Sequence, residues 1–148
     1  MAAWRGNEAL VKALIARHEK LDLRDAEGYT PLLRAAARGL PNIVRLLVES
    51  GADVSARLPD GSTALMLAAT GHADTVHVLL AAKADPNVRR DDGHNALSLA
   101  IDRGQPAIAL MLLDAGAGIT SDAPRTPNLV ISATRQQEAA VLQKLLTK

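Results

Sequence analysis

Four histidines, His18, His72, His77 and His94, are the side chains best suited to metal or proton chemistry, and no cysteine accompanies them. A zinc site needs three or four ligands brought to one point. These histidines fall in separate segments or on different faces, and His72 reads as a structural residue. Ser55, Ser62 and Ser98 lack the His and Asp companions that would activate a hydroxyl, and no glycine-rich phosphate loop occurs. The mixed charges of Arg89-Arg90-Asp91-Asp92 suit a solvated turn. No enzyme, metal or cofactor is expected. What remains is recognition by a surface.

The chain that must carry that surface has 148 residues, a length that suits one domain, with a formal net charge of +1. A near-neutral balance argues against a general nucleic-acid binder. No apolar run approaches the ~20 residues needed to span a bilayer, and charges interrupt the apolar pattern of residues 1–17, unlike a signal peptide. Residues 59–119 carry seven acidic against four basic side chains, while both flanks are mildly basic. Aromatic content is 1%, with Trp4 and Tyr29 the whole complement, whereas 28 Ala and 23 Leu supply about a third of the chain. Sandwiches and barrels fill their centres with aromatic and β-branched residues. An Ala/Leu interior suits thin, closely packed helices instead.

Repetition organises those helices. Gly6, Gly39, Gly71 and Gly104 are spaced 33, 32 and 33 residues apart, and Gly28, Gly61 and Gly93 follow at 33 and 32. Gly51-Ala52-Asp53, Lys83-Ala84-Asp85 and Gly116-Ala117-Gly118 start 12 residues after members of the first series. Within one unit, Gly28-Tyr29-Thr30-Pro31 reads as a turn and helix start, with Thr30 as N-cap and Pro31 at the first helical position. Leu32, Ala35 and Ala36 give a short inner helix its apolar spacing, stopped by Gly39. Pro41 opens a second helix with Ile43, Val44, Leu46 and Leu47 on its buried face, and Gly51 is placed as a left-handed C-cap. Neither helix buries its stripe alone, so successive pairs must stack.

Asp25-Ala-Glu-Gly-Tyr-Thr-Pro-Leu-Leu-Arg-Ala-Ala-Ala-Arg-Gly39, continued by Asn42 to Val54, resembles an ankyrin repeat almost position for position. Gly61 to His72 and Gly93 to Gly104 resemble two more, and Ala2 to Asn7 with Leu10, Val11 and Leu14 resembles a truncated one. The resemblance implies an all-α repeat solenoid of stacked helix pairs with β-hairpin-like loops. Residues 1–24 would form a partial repeat, 25–57, 58–89 and 90–122 three full ones, and 123–148 a C-terminal cap. Residues 120–148 match weakly, with Gln137 at the glycine position and Val141, Leu142 and Leu145 keeping the second-helix pattern. Some sequence before Met1 is inferred to have been trimmed. Three departures stand out. The 58–89 repeat is one residue short between Ala69 and Gly71, so its inter-helix turn should differ. Ala64 and Ala96 replace proline, and Asn95 replaces the Thr cap. Arg34 stands where Leu67 and Leu99 occupy a position expected to be buried, so Arg34 should reach the concave surface or pair locally.

Ankyrin-like stacks bind proteins through hairpin tips and the exposed side of the inner helices. Mapped onto this chain, the resemblance implies Trp4, Arg5, Glu27, Tyr29, Leu33, Arg38, Asp60, Met66, Asp92, His94 and Arg103 as partner-binding residues, with Ala37, Ser62, Thr70, Ser98 and Asp102 on the same strip. Trp, Tyr and Arg often carry interface energy. Trp4 could instead cover the N-terminal edge, and arginine rows are commonly solvated. Arg5, Arg38 and Arg103, each before its glycine, could meet an acidic partner. Asn87 sits where hairpin asparagines bond the backbone, or where some eukaryotic repeats are hydroxylated. The expected function is a non-enzymatic protein-interaction module, monomeric on its own, that binds another protein and neither nucleic acid nor membrane. The alternative is a regulatory or structural segment of a larger enzyme or effector acting in cis. A cytoplasmic location is expected, or a periplasmic or secreted one if a signal was trimmed.

Overall fold

A computed structural model describes residues 12–13, 15–17 and 21–118. Among these residues, six α-helices form three pairs: α1 (Pro31–Ala37) with α2 (Pro41–Glu49), α3 (Ala64–Ala68) with α4 (Ala73–Ala81), and α5 (Ala96–Asp102) with α6 (Pro106–Asp114). Each inner helix (α1, α3, α5) packs on its outer partner and on the next inner helix, and the outer helices stack likewise. The result is a two-layer solenoid. No strand forms among the described residues, and the hairpin-like loops show only an isolated antiparallel bridge between Arg57 and Thr63.

Each inner helix starts where its cap dictates. Thr30 Oγ1 accepts the Leu33 N–H at 3.2 Å, and Thr63 Oγ1 accepts that of Met66 at 3.3 Å. Asn95 goes further: its Oδ1 accepts the Ser98 N–H at 2.9 Å while Ser98 Oγ accepts the Asn95 N–H at 3.0 Å, a reciprocal capping box. Asn95 thus has one more capping bond at its helix start than Thr30 or Thr63. The shortened repeat does turn differently, because Gly71 has φ 157° where Gly39 and Gly104 have 66° and 65°, and α3 spans only 5 residues.

The core is aliphatic. Leu32, Ile43, Val44, Leu47, Leu65, Val76, Leu79, Leu97, Ile108 and Leu112 are at most 2% exposed. The small residues Ala35, Ala36, Ala68, Ala69 and Ala100 are fully buried, which lets neighbouring backbones approach closely. No aromatic enters this core among the described residues. One core hydroxyl is out of place. Thr75, 1% exposed, occupies the position held by Ile43 and Ile108, and its Oγ1 has no hydrogen-bond partner.

Inter-repeat locks complete the stack. Arg24 Nη1 donates to Gly28 O at 2.7 Å and to Arg57 O at 2.8 Å, and Arg57 donates to Gly61 O and, at 2.5 Å, to Arg89 O. The His72 ring lies against Gly39, where a Cβ would come within 2.3 Å of Nδ1. His72 is thus structural, as its place in the sequence suggested. Asn87 Nδ2 donates to Gly116 O and its Oδ1 accepts the Gly118 N–H at 2.7 Å, so its amide ties two repeats together.

Candidate protein-binding surface

A hairpin tip precedes each of the three inner helices. Each closes with the same backbone bond: the N–H of Asp25, Leu58 and Arg90 donates to the carbonyl of Tyr29, Ser62 and His94 at 2.9, 2.8 and 2.8 Å. Carboxylates brace the turns from within. Asp25 Oδ1 accepts the N–H of both Glu27 and Tyr29, Asp60 Oδ1 that of Ser62, and Asp92 Oδ1 that of His94.

On the first tip, Arg34 reaches back from α1. Its Nε donates to Asp25 at 2.8 Å, its Nη2 to Glu27 at 2.5 Å, and its guanidinium lies 3.9 Å above the Tyr29 ring. Burial opposes ionisation of Asp25, but Arg34 and the two backbone N–H groups outweigh it and hold the carboxyl below its ordinary value. The same bonds, Asp25's first and Glu27's second, raise Arg34. Arg34 therefore both pairs locally and lies half-buried on the strip.

The third tip is built around Arg90, paired with Asp92 in a two-point contact. The Arg90 guanidinium holds the Asp92 carboxyl well below the usual carboxylate range. His94 is buried, turned onto α5. Its Nε2 lies 3.3 Å from Asp102 Oδ2, and its Nδ1 lies 3.1 Å from Asp92 Oδ1 without the alignment of a hydrogen bond.

The residues mapped from sequence divide accordingly. Glu27, Arg38, Asp60, Asp92 and Arg103 are exposed, and Tyr29 is half-buried. Arg38 and Arg103 are the C-cap residues of α1 and α5, where a helix terminus favours a cation. Leu33 and Met66 are not exposed: they are 0% and 2% accessible, and Ser98 at the equivalent place is 3%. Their side chains point at the neighbouring repeat because the third residue of each short helix faces along the stack. His94 and Ser62 are buried as well, at 7% and 3%. Trp4 and Arg5 lie outside the described residues. The converse correction concerns Leu67 and Leu99, which were expected inside and are half-exposed, in line with Arg34. The row Arg34, Leu67, Leu99 was overlooked because a leucine in an apolar pattern reads as core. So was the Arg24–Arg57 lock, although a 33-residue recurrence was there to find it.

The Ser98 hydroxyl donates to Asn95 O at 3.0 Å inside the capping box. No group of three or more His, Asp or Glu among the described residues could hold a metal ion. No helix among them is long and apolar enough to cross a membrane.

The profile of the family described as Ankyrin repeats (3 copies) matches residues 1–90 and 60–123. The chain is an ankyrin-repeat protein. Mouse Ankyrin repeat and SAM domain-containing protein 6 is 38% identical over 68 residues, covering 45% of this chain and 8% of the relative. An ankyrin repeat-containing protein of Treponema pallidum is 39% identical over 69 residues, 46% of this chain and 23% of the relative. Arabidopsis E3 ubiquitin-protein ligase KEG is 40% identical over 63 residues, 42% of this chain and 4% of the relative. The match spans less than a quarter of each of these relatives. Ankyrin repeats are generally non-catalytic protein-interaction modules, although some relatives are larger enzymes. In the family signature T-P-L-H-x-A, Leu33 and Met66 take the His position, which explains why they turn inward.

Proposed function

We propose that this ankyrin stack is a non-enzymatic recognition module that binds a partner protein on the face built from its hairpin tips and inner helices. The supporting observation is the row Arg34, Leu67, Leu99. Large side chains stay half-exposed at equivalent places of three successive inner helices, flanked by Tyr29 and by Arg38 and Arg103. Other large aliphatics, among them Leu40, Val48, Leu80 and Leu110, are partly buried too, and what sets this row apart is its repetition at one position of each inner helix. A rigid stack presents the row ready-made, lowering the ordering cost of association. Trp4 and Arg5 extend the same strip in this reading, with residues 1–24 as a partial repeat and 123–148 as a cap. A cytoplasmic, monomeric module is the simplest setting.

A second reading is favoured by the relatives, in which the matched repeats are a small part of a longer protein. There the same face would hold another part of its own polypeptide. Both readings meet one test. A partner is captured on the wild-type chain, then its affinity is measured for a Tyr29→Ala/Leu67→Ser/Leu99→Ser variant shown by circular dichroism to stay folded. At least a tenfold loss, about 1.4 kcal/mol, is expected, with no loss for Arg45→Ala/His77→Ala on the outer helices. The reverse pattern overturns the proposal.

A further inference from the structure

The loops that follow the outer helices are tied to the loops one repeat earlier, and one of those ties is missing. Asp22 Oδ1 accepts the Asp53 N–H at 2.9 Å, and Asn87 Oδ1 accepts the Gly118 N–H at 2.7 Å. Asp22 and Asn87 stand six residues before the tip glycines Gly28 and Gly93, and Ser55 stands six before Gly61. The counterpart of Asp53 and Gly118 is then Asp85, and among the described residues no hydrogen bond joins Ser55 to Asp85. A serine oxygen is one bond closer to the backbone than an Asp or Asn oxygen. At this seam lies a cleft of about 30 Å³ lined by Val54, Ser55, Ala84, Asp85 and Val88. The same segment departs from its neighbours at three further places. α4 opens on Ala73 where α2 and α6 open on Pro41 and Pro106, so it lacks the residue that presets helical φ. Thr75 keeps a buried hydroxyl unpaired inside it. Lys83 holds φ 67° at the place where Gly51 and Gly116 take positive φ without a Cβ. The inner partner, α3, has 5 residues where α1 and α5 have 7.

We infer that α4 and the loop after it, residues 73–88, form a loose unit that opens locally more readily than the equivalent segments of the two flanking repeats. Place in the stack argues the reverse order, since a repeat held by a neighbour on each side is ordinarily the better protected one. Here each departure removes a bond, strains the backbone or leaves a polar group unpaired. In a linear stack such terms act repeat by repeat, so one unit can open while its neighbours stay packed. α3 packs on α4, so an opening also unseats Leu67, the middle member of the row Arg34, Leu67, Leu99. The closed stack presents that row whole and an opened one interrupts it. The inference concerns the free chain and does not depend on what the row binds.

Amide hydrogen exchange of the full 148-residue chain, with no partner added, is the test. Corrected for intrinsic rates, the helical amides of α4 should exchange about tenfold faster than those of α2 and α6, a factor that one unpaired buried hydroxyl supplies alone. Low urea should leave the α4 rates nearly unchanged, because a local opening exposes little surface. A Ser55→Asn/Thr75→Val/Lys83→Gly variant should bring α4 to within about threefold of its neighbours, with the α2 and α6 rates moving less. Its new side-chain oxygen can accept the Asp85 N–H as Asn87 accepts that of Gly118. Two results overturn the inference: α4 amides protected as well as those of α2 and α6 in the wild-type chain, or a rate ratio that the triple variant leaves unchanged.

Discussion

Replacing Thr75 by Val should make the stack more stable, although the side chain hardly changes in size. The two side chains have nearly the same shape, so the perturbation is one hydroxyl exchanged for a methyl. Thr75 is 1% exposed and its Oγ1 has no partner, while Ile43 and Ile108 hold the same place in the flanking repeats. A buried hydroxyl stripped of water with nothing to replace it costs about 1–3 kcal/mol. Helix propensities of Thr and Val are close enough to leave that figure standing. Urea denaturation with a slope of about 1–3 kcal/mol per molar would move its midpoint up by roughly 0.5–1 M. Melting temperature should rise by about 2–4 °C per kcal/mol. Thr75→Ser is the control. It keeps the hydroxyl, deletes the methyl, and should cost about 1 kcal/mol for the lost packing. If Thr75→Val is neutral or destabilising while Thr75→Ser behaves as expected, the hydroxyl has a partner and the reasoning fails.

Lys83 adopts φ 67° where the neighbouring repeats place Gly51 and Gly116, so Lys83→Gly should stabilise by about 1 kcal/mol in the same urea assay. Gly51→Ala should cost a similar amount, although nothing lies within 4 Å of its new Cβ, because its φ of 98° alone disfavours a side chain. Gly39→Ala drives a Cβ into the His72 ring and should cost about 2–4 kcal/mol. His72→Ala in the same chain should recover part of that loss, and a double-mutant cycle without coupling would rule out the lock. Asp25 and Asp92 titrate below their unfolded values, so they contribute stability above the ordinary carboxylate range that fades as acid protonates them. Denaturation midpoints should therefore fall as pH drops from about 4, and less steeply in Asp92→Asn; an unchanged pH profile in that variant would remove Asp92 from the account.

Much of the fold was legible because its instructions are local. Thr30 caps and Pro31 opens α1 as backbone chemistry requires, Gly51 sits at left-handed φ, and the missing residue before Gly71 reappears as an altered turn. The 33-residue period announced stacking, since no single pair could bury its own stripe. The binding surface was less legible. Tip residues such as Glu27, Asp60 and Asp92 follow from the turn itself and are exposed as read. The inner-helix residues did not follow, because Leu32, Leu33, Ala35 and Ala36 are apolar over too wide an arc to say which edge of it meets the neighbour.

The sequence by itself determined the repeat, the helix boundaries, the caps and the aliphatic core, all of which depend on residues close in the chain. Tertiary structure decided which side of each inner helix is inside. A helix of 7 residues makes about two turns, and a pair of adjacent leucines on it lies within reach of either face. Only the neighbouring repeat, by covering Leu33 and Met66 fully and Leu67 and Leu99 only in part, fixes the difference. The same is true of Arg34. Its charge is set by its type, but its place on the strip is set by Asp25, Glu27 and Tyr29 across the turn.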